Sequence, residues 1–511
     1  MVGQHLFAGF AGLQITDEFA RYMREAKIGN VILFAHNVGT ASQLASLCAD
    51  LQKLVMDATG YPAFIAIDQE GGVVSRLGQD CAIVPSAMGI AASGNIENAY
   101  AAGLITGREL HAMGVNFNLA PVADVNSNPQ NPVIGVRSYG ENTQVVARFS
   151  CAMMRGLTDG GVLSCAKHFP GHGDTAVDSH IGLPLVDKPL DVLLESDLVP
   201  FQALIHAGIP GVMSTHILFP QIEQDRIPAT MSRKIMTDLL KERMGFHGLV
   251  LSDCMMMGAI ADHYGTVKGM TEAIKAGVDL VFASHSAKLA AEASRSMMEE
   301  LREGRINSAE LLASTEKILR YKAGLTPPDP AELSCVGSAE HRRQVEAMYE
   351  QSLTSVNLPK GGLPPPGDKP LFVGCLPYLP TQASSPNAGS VSFHEAMRLR
   401  FGGDAVSMTE NPDWEEIARI AALAPGHSCI VIGTYNAHLR RGQLDIVKAL
   451  ASSGIPVICI ALRNPYDLAD LPMGVSGIAA YAYNNSSLNA VARLLSGDIR
   501  AFGVLPVRLK G

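Results

Sequence analysis

Short apolar runs recur through the first two thirds of the chain, at 31–34, 63–67, 115–119, 162–166, 212–215, 248–251 and 279–283. Between them lie longer stretches with helical spacing, at 144–156, 191–207, 232–244 and 289–303, several with Asp or Ser near the start. Runs this short read as buried strands, and their alternation with helices predicts β/α units around a parallel sheet. Polar groups follow the strands with regularity: His36 and Asn37, Asp68, Gln69 and Glu70, Asp124, Lys167 and His168, His216, and Asp253 stand at or just beyond apolar runs. In a closed barrel they converge on one rim, so the pattern predicts an α/β fold with a TIM-type (β/α)8 barrel. A doubly wound open sheet would instead bind its ligand at a topological switch point, usually with a phosphate-binding glycine turn, and none follows the first of these strands.

Past Lys322 the pattern changes. Prolines cluster at 327–330 and 364–366 on either side of a helical stretch at 342–352, as in a linker. Apolar runs then resume at 371–373, 429–433, 457–461 and 477–480 with helices between them, which predicts a second, smaller α/β sandwich domain. The resulting division is a barrel domain over 1–325, a linker with a helix over 326–368, and a C-terminal α/β domain over 369–511. There is no internal repeat.

Composition narrows the class of partner. A chain of 511 residues, 47% hydrophobic and 17% charged, can bury extensive cores. Its formal net charge of -9, without a basic tract, gives a polyanion nothing to bind, so nucleic acid is not an expected partner. An aromatic content of 6% argues against an extracellular carbohydrate-binding surface. The first residues lack a basic segment, and glycines interrupt the apolar run at 6–13, which has no signal-peptidase site after it. Nine cysteines, odd in number and without CxxC spacing, are as expected of reduced thiols. Together these features predict a cytoplasmic protein without a membrane partner; they do not specify its oligomeric state.

The stretch KHFPGHGDTAVDSH from Lys167 to His180 concentrates titratable groups at a strand end, the signature of a reaction site. Gly171 and Gly173 break any helix there, so an irregular loop carries Asp174, Asp178 and His180 over the strand's carboxyl end. Asp253 follows another apolar strand and precedes Met255, Met256 and Met257; taken alone, it reads as the N-cap of a helix.

These motifs, with IDQEGGVVSR at 67–76, NFNLAPVADV at 116–125, IGVRSYG at 134–140 and LSDCMMMGAI at 251–260, are similar to those of glycoside hydrolase family 3. Within it the chain resembles the β-N-acetylglucosaminidase branch. The resemblance implies a retaining, exo-acting enzyme with no metal or organic cofactor, in which Asp253 is the nucleophile and His180, paired with Asp178, transfers the proton. On an extended segment residues two apart face the same way, so a carboxylate can hold one imidazole nitrogen and leave the other for catalysis. The plain alternative for Asp178, Ser179 and His180 is a loop capping motif with a solvated imidazole, and His172 is a rival acid if it is not simply part of a turn.

The resemblance also places Asp68, Arg76, Arg137, Lys167 and His168 in the first sugar subsite, where carboxylates accept from hydroxyls and cations donate to sugar oxygens. A buried ion network tying the rim together is the competing reading for Arg76 and Arg137. Glu70 is expected to organise the turn at Gly71 and Gly72, and Asp124 to serve either structure or substrate. Many family members carry an acid directly after the nucleophile, where this chain has Cys254. His263 and Tyr264 stand near enough to shape the site. For a bacterial-like cytoplasmic enzyme the implied substrate is a small glycoside or muropeptide from cell-wall recycling. The competing functions are a phosphorylase using the same covalent intermediate, a β-glucosidase drawing its acid from Glu410 in the second domain, a metal-dependent hydrolase built on His168, His172, Asp174, Asp178 and His180, and a noncatalytic sugar-binding protein. No HExxH pair supports the metal reading.

Overall fold

The computed structural model describes residues 1–175, 183–376, 378 and 392–509. Eight parallel strands close into a barrel: β1 Leu6–Ala8, β2 Asn30–Leu33, β3 Phe64–Ile67, β4 Phe117–Asn118, β5 Leu163–Phe169, β6 Gly211–Ser214, β7 Leu249–Cys254 and β8 Leu280–Ala283. Closure is direct, with Leu6 opposite Val281 and Ala8 opposite Ala283. The fold class therefore agrees with the sequence expectation, although β1 is absent from the predicted strands: its three residues open the glycine-interrupted apolar run at 6–13, which enters the sequence expectation only as a test for an export signal.

Alternation along the strands divides the core in two. Phe7, Ile32, Phe64, Phe117, Cys165, Met213, Leu251 and Phe282 turn inward and fill the barrel. Phe7 stacks on Phe282 with ring centroids 4.1 Å apart, and Phe64 meets Phe117 edge-on at 5.5 Å. Their neighbours Leu6, Ala8, Val31, Leu33, Ile65 and Ile67 face the surrounding helices. The barrel is thus solid, and a ligand can enter only at its ends.

Two helical expectations change in detail. The segment 191–207 is not one helix but two, Leu190–Glu195 and Val199–His206. Pro200 begins a new helix readily but cannot supply the N–H that a continuous one needs. The segment expected at 232–244 is wound as a π-helix over Lys234–Arg243.

The second sheet has six strands, β9 Thr354–Val356, β10 Leu371–Cys375, β11 Asp404–Met408, β12 Ile430–Thr434, β13 Val457–Ala461 and β14 Ser476–Ala479, in the order β11-β10-β12-β13-β14-β9. All pair in parallel except β9, which lies antiparallel to β14 and comes from the stretch expected as linker. The two units touch through polar contacts, such as Ser86 Oγ donating to the Tyr481 carbonyl at 3.0 Å. All nine cysteines are unpaired. Among the described residues no helix is long and apolar enough to cross a membrane.

Candidate active site

A cleft opens at the carboxyl ends of the barrel strands and is lined by Asp68, Glu70, Arg76, Arg137, Lys167, His168, His172, Asp253 and Cys254. Strand alternation alone would not put both members of the pairs Lys167–His168 and Asp253–Cys254 on the cleft. In each case the pairing register slips: between Ala166 and Phe169 where β5 meets β6, and between Leu251 and Cys254 where β7 meets β8. Such bulges re-aim side chains at a barrel rim.

Glu70 lies at the centre of the charge arrangement. Arg137 Nε donates to its Oε2 at 2.8 Å and Arg137 Nη2 to its Oε1 at 2.7 Å, while Lys167 Nζ stands 2.6 Å from the same Oε1. Lys167 Nζ also donates to Asp68 Oδ1 at 2.7 Å. Burial alone would raise the Glu70 carboxyl, but the charges of Arg137 and Lys167 prevail and hold it well below the usual carboxylate range. Burial works against Lys167 as well, and Asp68 and Glu70 keep it charged, with its pKa raised. Four ionic side chains thus balance at the base of the cleft, three of them buried and Asp68 partly exposed, and the guanidinium and ammonium are fixed before any ligand arrives.

Glu70 therefore does more than shape the adjacent turn, as the sequence had suggested. The turn itself is real: Gly71 and Gly72 have φ of 93° and 53°, and a Cβ on Gly72 would stand 2.6 Å from the Ser86 backbone nitrogen. The glycines were the visible local signal; the partners of Glu70 lie far along the chain.

A second network holds the imidazoles. Asp124 is fully buried and accepts from His168 Nδ1 at 2.7 Å and from the backbone N–H of His172 at 2.7 Å. Burial opposes its ionisation, but His168 and the hydrogen bonds lower its pKa nonetheless. With the proton assigned to Nδ1, His168 turns Nε2 toward Arg137 Nη2, 3.4 Å away. Asp124 is thus an orienting group set behind His168. His172, the rival acid, is buried with Nδ1 2.9 Å from Thr175 Oγ1, and burial and then His168 lower its pKa to about 4. At neutral pH the imidazole is therefore uncharged, which suits it poorly to the role of general acid.

Asp253 lies within β7, and its Oδ1 accepts from the Cys254 N–H at 2.6 Å. It is not a helix N-cap, because the next helix, Gly258–Ala261, starts after Met257. His216 Nε2 lies 3.0 Å from the Cys254 carbonyl, steadying the backbone beside Asp253. Burial pushes the Cys254 thiol up, so the group in the place of an acid is neutral. Arg76 lines the cleft with its guanidinium 5.9 Å from the centre of the Phe34 ring.

Other polar residues after the strands serve structure. His36 Nε2 and Asn37 Nδ2 both contact the Phe10 carbonyl, at 3.0 and 2.9 Å. The Tyr264 hydroxyl donates to the Arg226 carbonyl, and Glu410, in the second domain, does not line the cleft. Asp178 and His180 lie outside the described residues. Among the described residues no group of three or more His, Cys, Asp or Glu side chains is arranged to hold a metal ion.

Comparison with known proteins places this cleft in a family context. Residues 2–321 match the model of the glycosyl hydrolase family 3 N terminal domain. The chain is 32% identical to Beta-hexosaminidase A of Pseudoalteromonas piscicida, over 96% of this chain and 91% of that protein. It is 33% identical to a Beta-hexosaminidase of Thiobacillus denitrificans over 56% of this chain and 80% of that protein. Among solved structures, a glycoside hydrolase family 3 beta-N-acetylglucosaminidase from Paenibacillus sp. str. FPU-7 superposes with a TM-score of 0.91 at 35% identity, covering 99% of this chain and 98% of that one.

Proposed function

The chain belongs to glycosyl hydrolase family 3, and we propose that it removes terminal β-linked N-acetylglucosamine from small glycosides with retention of configuration. Asp253 attacks the anomeric carbon, the leaving oxygen takes a proton from His180, and a glycosyl-enzyme forms. His180 then removes a proton from water, which releases the sugar and regenerates both groups. Asp178 orients His180 and favours its charged form. The barrel over 1–325 is the catalytic domain, and the substrates are muropeptide fragments handled in the cytoplasm, in keeping with nine unpaired cysteines.

The observation that carries this reading is the division of labour among Asp68, Glu70 and Asp253, the carboxylates that line the cleft among the described residues. Glu70 is clamped by Arg137 and Lys167, and Asp68 is held by Lys167, both in roles suited to binding sugar hydroxyls. Asp253 projects into the cleft from a different strand, β7, where its Oδ1 accepts from the Cys254 N–H at 2.6 Å. Its place on the cleft at the carboxyl end of a barrel strand supports the role of nucleophile, with Arg137, Lys167 and His168 to grip the ring. Arg76 completes the subsite.

The test compares aryl β-N-acetylglucosaminide with aryl β-glucoside, in water and in phosphate, for the wild type and for Asp253→Ala, Asp178→Ala and His180→Ala. The reading predicts a strong preference for the N-acetyl sugar, free sugar as the product in both media, and loss of turnover in Asp253→Ala. Preference for the glucoside, or sugar 1-phosphate as the main product, would replace it with the corresponding rival.

A further inference from the structure

The sheet domain reaches the barrel cleft through a contact that the reaction itself does not use. Arg137 ends the short turn Gly135–Arg137, and that turn is held from the other domain. The Val136 N–H donates to Asn464 Oδ1 at 3.0 Å, and Asn464 Nδ2 donates in turn to Asn436 Oδ1 at 2.9 Å. Asn436 and Asn464 stand just beyond β12 and β13. A second anchor runs in parallel: Asn126 Oδ1 accepts from the Gly135 N–H at 3.1 Å, while its Nδ2 donates to the Tyr466 hydroxyl at 2.8 Å.

These contacts are buried, with Asn464 only 4% exposed. They are also shape-specific. Gly135 has φ of 45°, and a Cβ there would lie 2.4 Å from Asn464 Oδ1, so the turn is moulded onto that amide. Apolar packing would suffice to hold two domains together. An amide satisfied at both ends in a dry interface adds direction, because it fixes one backbone N–H at one angle.

We propose that Asn464 is a positioning residue for sugar binding: through Val136 N–H it sets the turn that aims the Arg137 guanidinium at Glu70 and at the sugar. The second domain is then a working part of the first subsite. This inference rests on the reading of Arg137 as a sugar-binding residue.

Two substitutions separate positioning from bulk. Asn464→Leu keeps the shape and removes both hydrogen bonds; Asn464→Asp keeps an acceptor for Val136, with the Asn436 amide turning to donate. For aryl β-N-acetylglucosaminide we expect kcat/KM to fall about tenfold to a hundredfold in Asn464→Leu and to recover most of that in Asn464→Asp. In an Arg137→Ala background the same leucine substitution should cost less than about twofold, because the group it positions is gone. Independently of substrate, amides of 134–138 should exchange hydrogen faster in Asn464→Leu than in the wild type. If Asn464→Leu does not fold, Asn464→Ser, which withdraws the amide from Val136 and leaves a small polar side chain, goes through the same cycle and the same exchange measurement, with an expected loss of about threefold or more.

An undiminished effect in the Arg137→Ala background, or unchanged exchange at 134–138, overturns the proposal. If the wild type turns over no aryl glycoside, the functional reading falls by itself, and the exchange measurement still decides whether Asn464 controls the turn.

Discussion

Glu70→Gln is the most informative single change, because it removes one charge from a balanced set of four without altering the size of the side chain. The side chains of Glu70, Arg137 and Lys167 are only 6%, 5% and 2% exposed, so water screens little of their interaction. Three charge-assisted contacts, at 2.8, 2.7 and 2.6 Å, end on the carboxylate. At roughly 1.5–3 kcal/mol each, they give about 4.5–9 kcal/mol gross, from which desolvation of the ions takes back several kcal/mol. The expected net loss is about 3–5 kcal/mol, the usual cost of stranding a buried cation. Because Arg137 and Lys167 lose their common tether, kcat/KM should fall about a hundredfold as well.

The pH dependence follows from the same pairing. Glu70 has a folded pKa below its unfolded value of 4.5, so its contribution is present above 4.5 and is lost as pH falls through the folded value. Urea unfolding of both proteins should therefore show a constant gap from about pH 8 to about pH 5 that closes only in stronger acid. A variant within about 1 kcal/mol of the wild type at pH 7, with kcat/KM changed less than about twofold, would refute this account of the network.

Further consequences can be tested in the same way. Asp124→Asn should destabilise the protein by about 1–3 kcal/mol and weaken sugar binding, since a buried carboxylate that orients His168 is lost; unchanged KM and unfolding midpoint would remove its orienting role. His180→Ala should slow alkyl glycosides by about 10²–10⁴-fold while largely sparing the first step for dinitrophenyl leaving groups, and equal slowing of both would deny it the role of acid. Lys322 is buried between Gln4 Oε1 and the Gly29 carbonyl, and burial lowers its pKa from 10.5 to about 7. Between these values the unfolded chain binds more protons, so wild-type stability should rise with pH from about 7 to about 9 relative to Lys322→Met. A pH-independent difference would count against that assignment. Activity should also survive prolonged chelation; loss restored by a divalent ion would revive the metal reading.

Periodicity made the barrel legible because inward and outward faces alternate over runs that end in polar residues. It failed where a strand is too short, or too mixed in sequence, to show the alternation. β1 has three residues, β9 is a three-residue antiparallel edge, and β11, Asp404–Met408, is a partly exposed edge strand with a mixed sequence. Six of the candidate residues, Asp68, Arg76, Arg137, Lys167, His168 and Asp253, come together on one cleft, but the sequence did not show how they are wired. Glu70 looked like part of a glycine turn because the glycines are its neighbours, whereas the cations that define it arrive from β5 and from the turn at Gly135–Arg137. Asp253 looked like a helix cap because nothing in the sequence shows that β7 runs on to Cys254. The register slips that turn consecutive residues onto the cleft leave no local mark, since they depend on the neighbouring strand.

The central claim is the covalent bond to Asp253, and trapping tests it most directly. His180→Ala, incubated with dinitrophenyl β-N-acetylglucosaminide, should load quickly and release slowly, and proteolysis followed by mass spectrometry should find one sugar on the peptide containing Asp253. An adduct on Asp68 or Glu70, or free sugar of inverted configuration with no adduct at all, would contradict it.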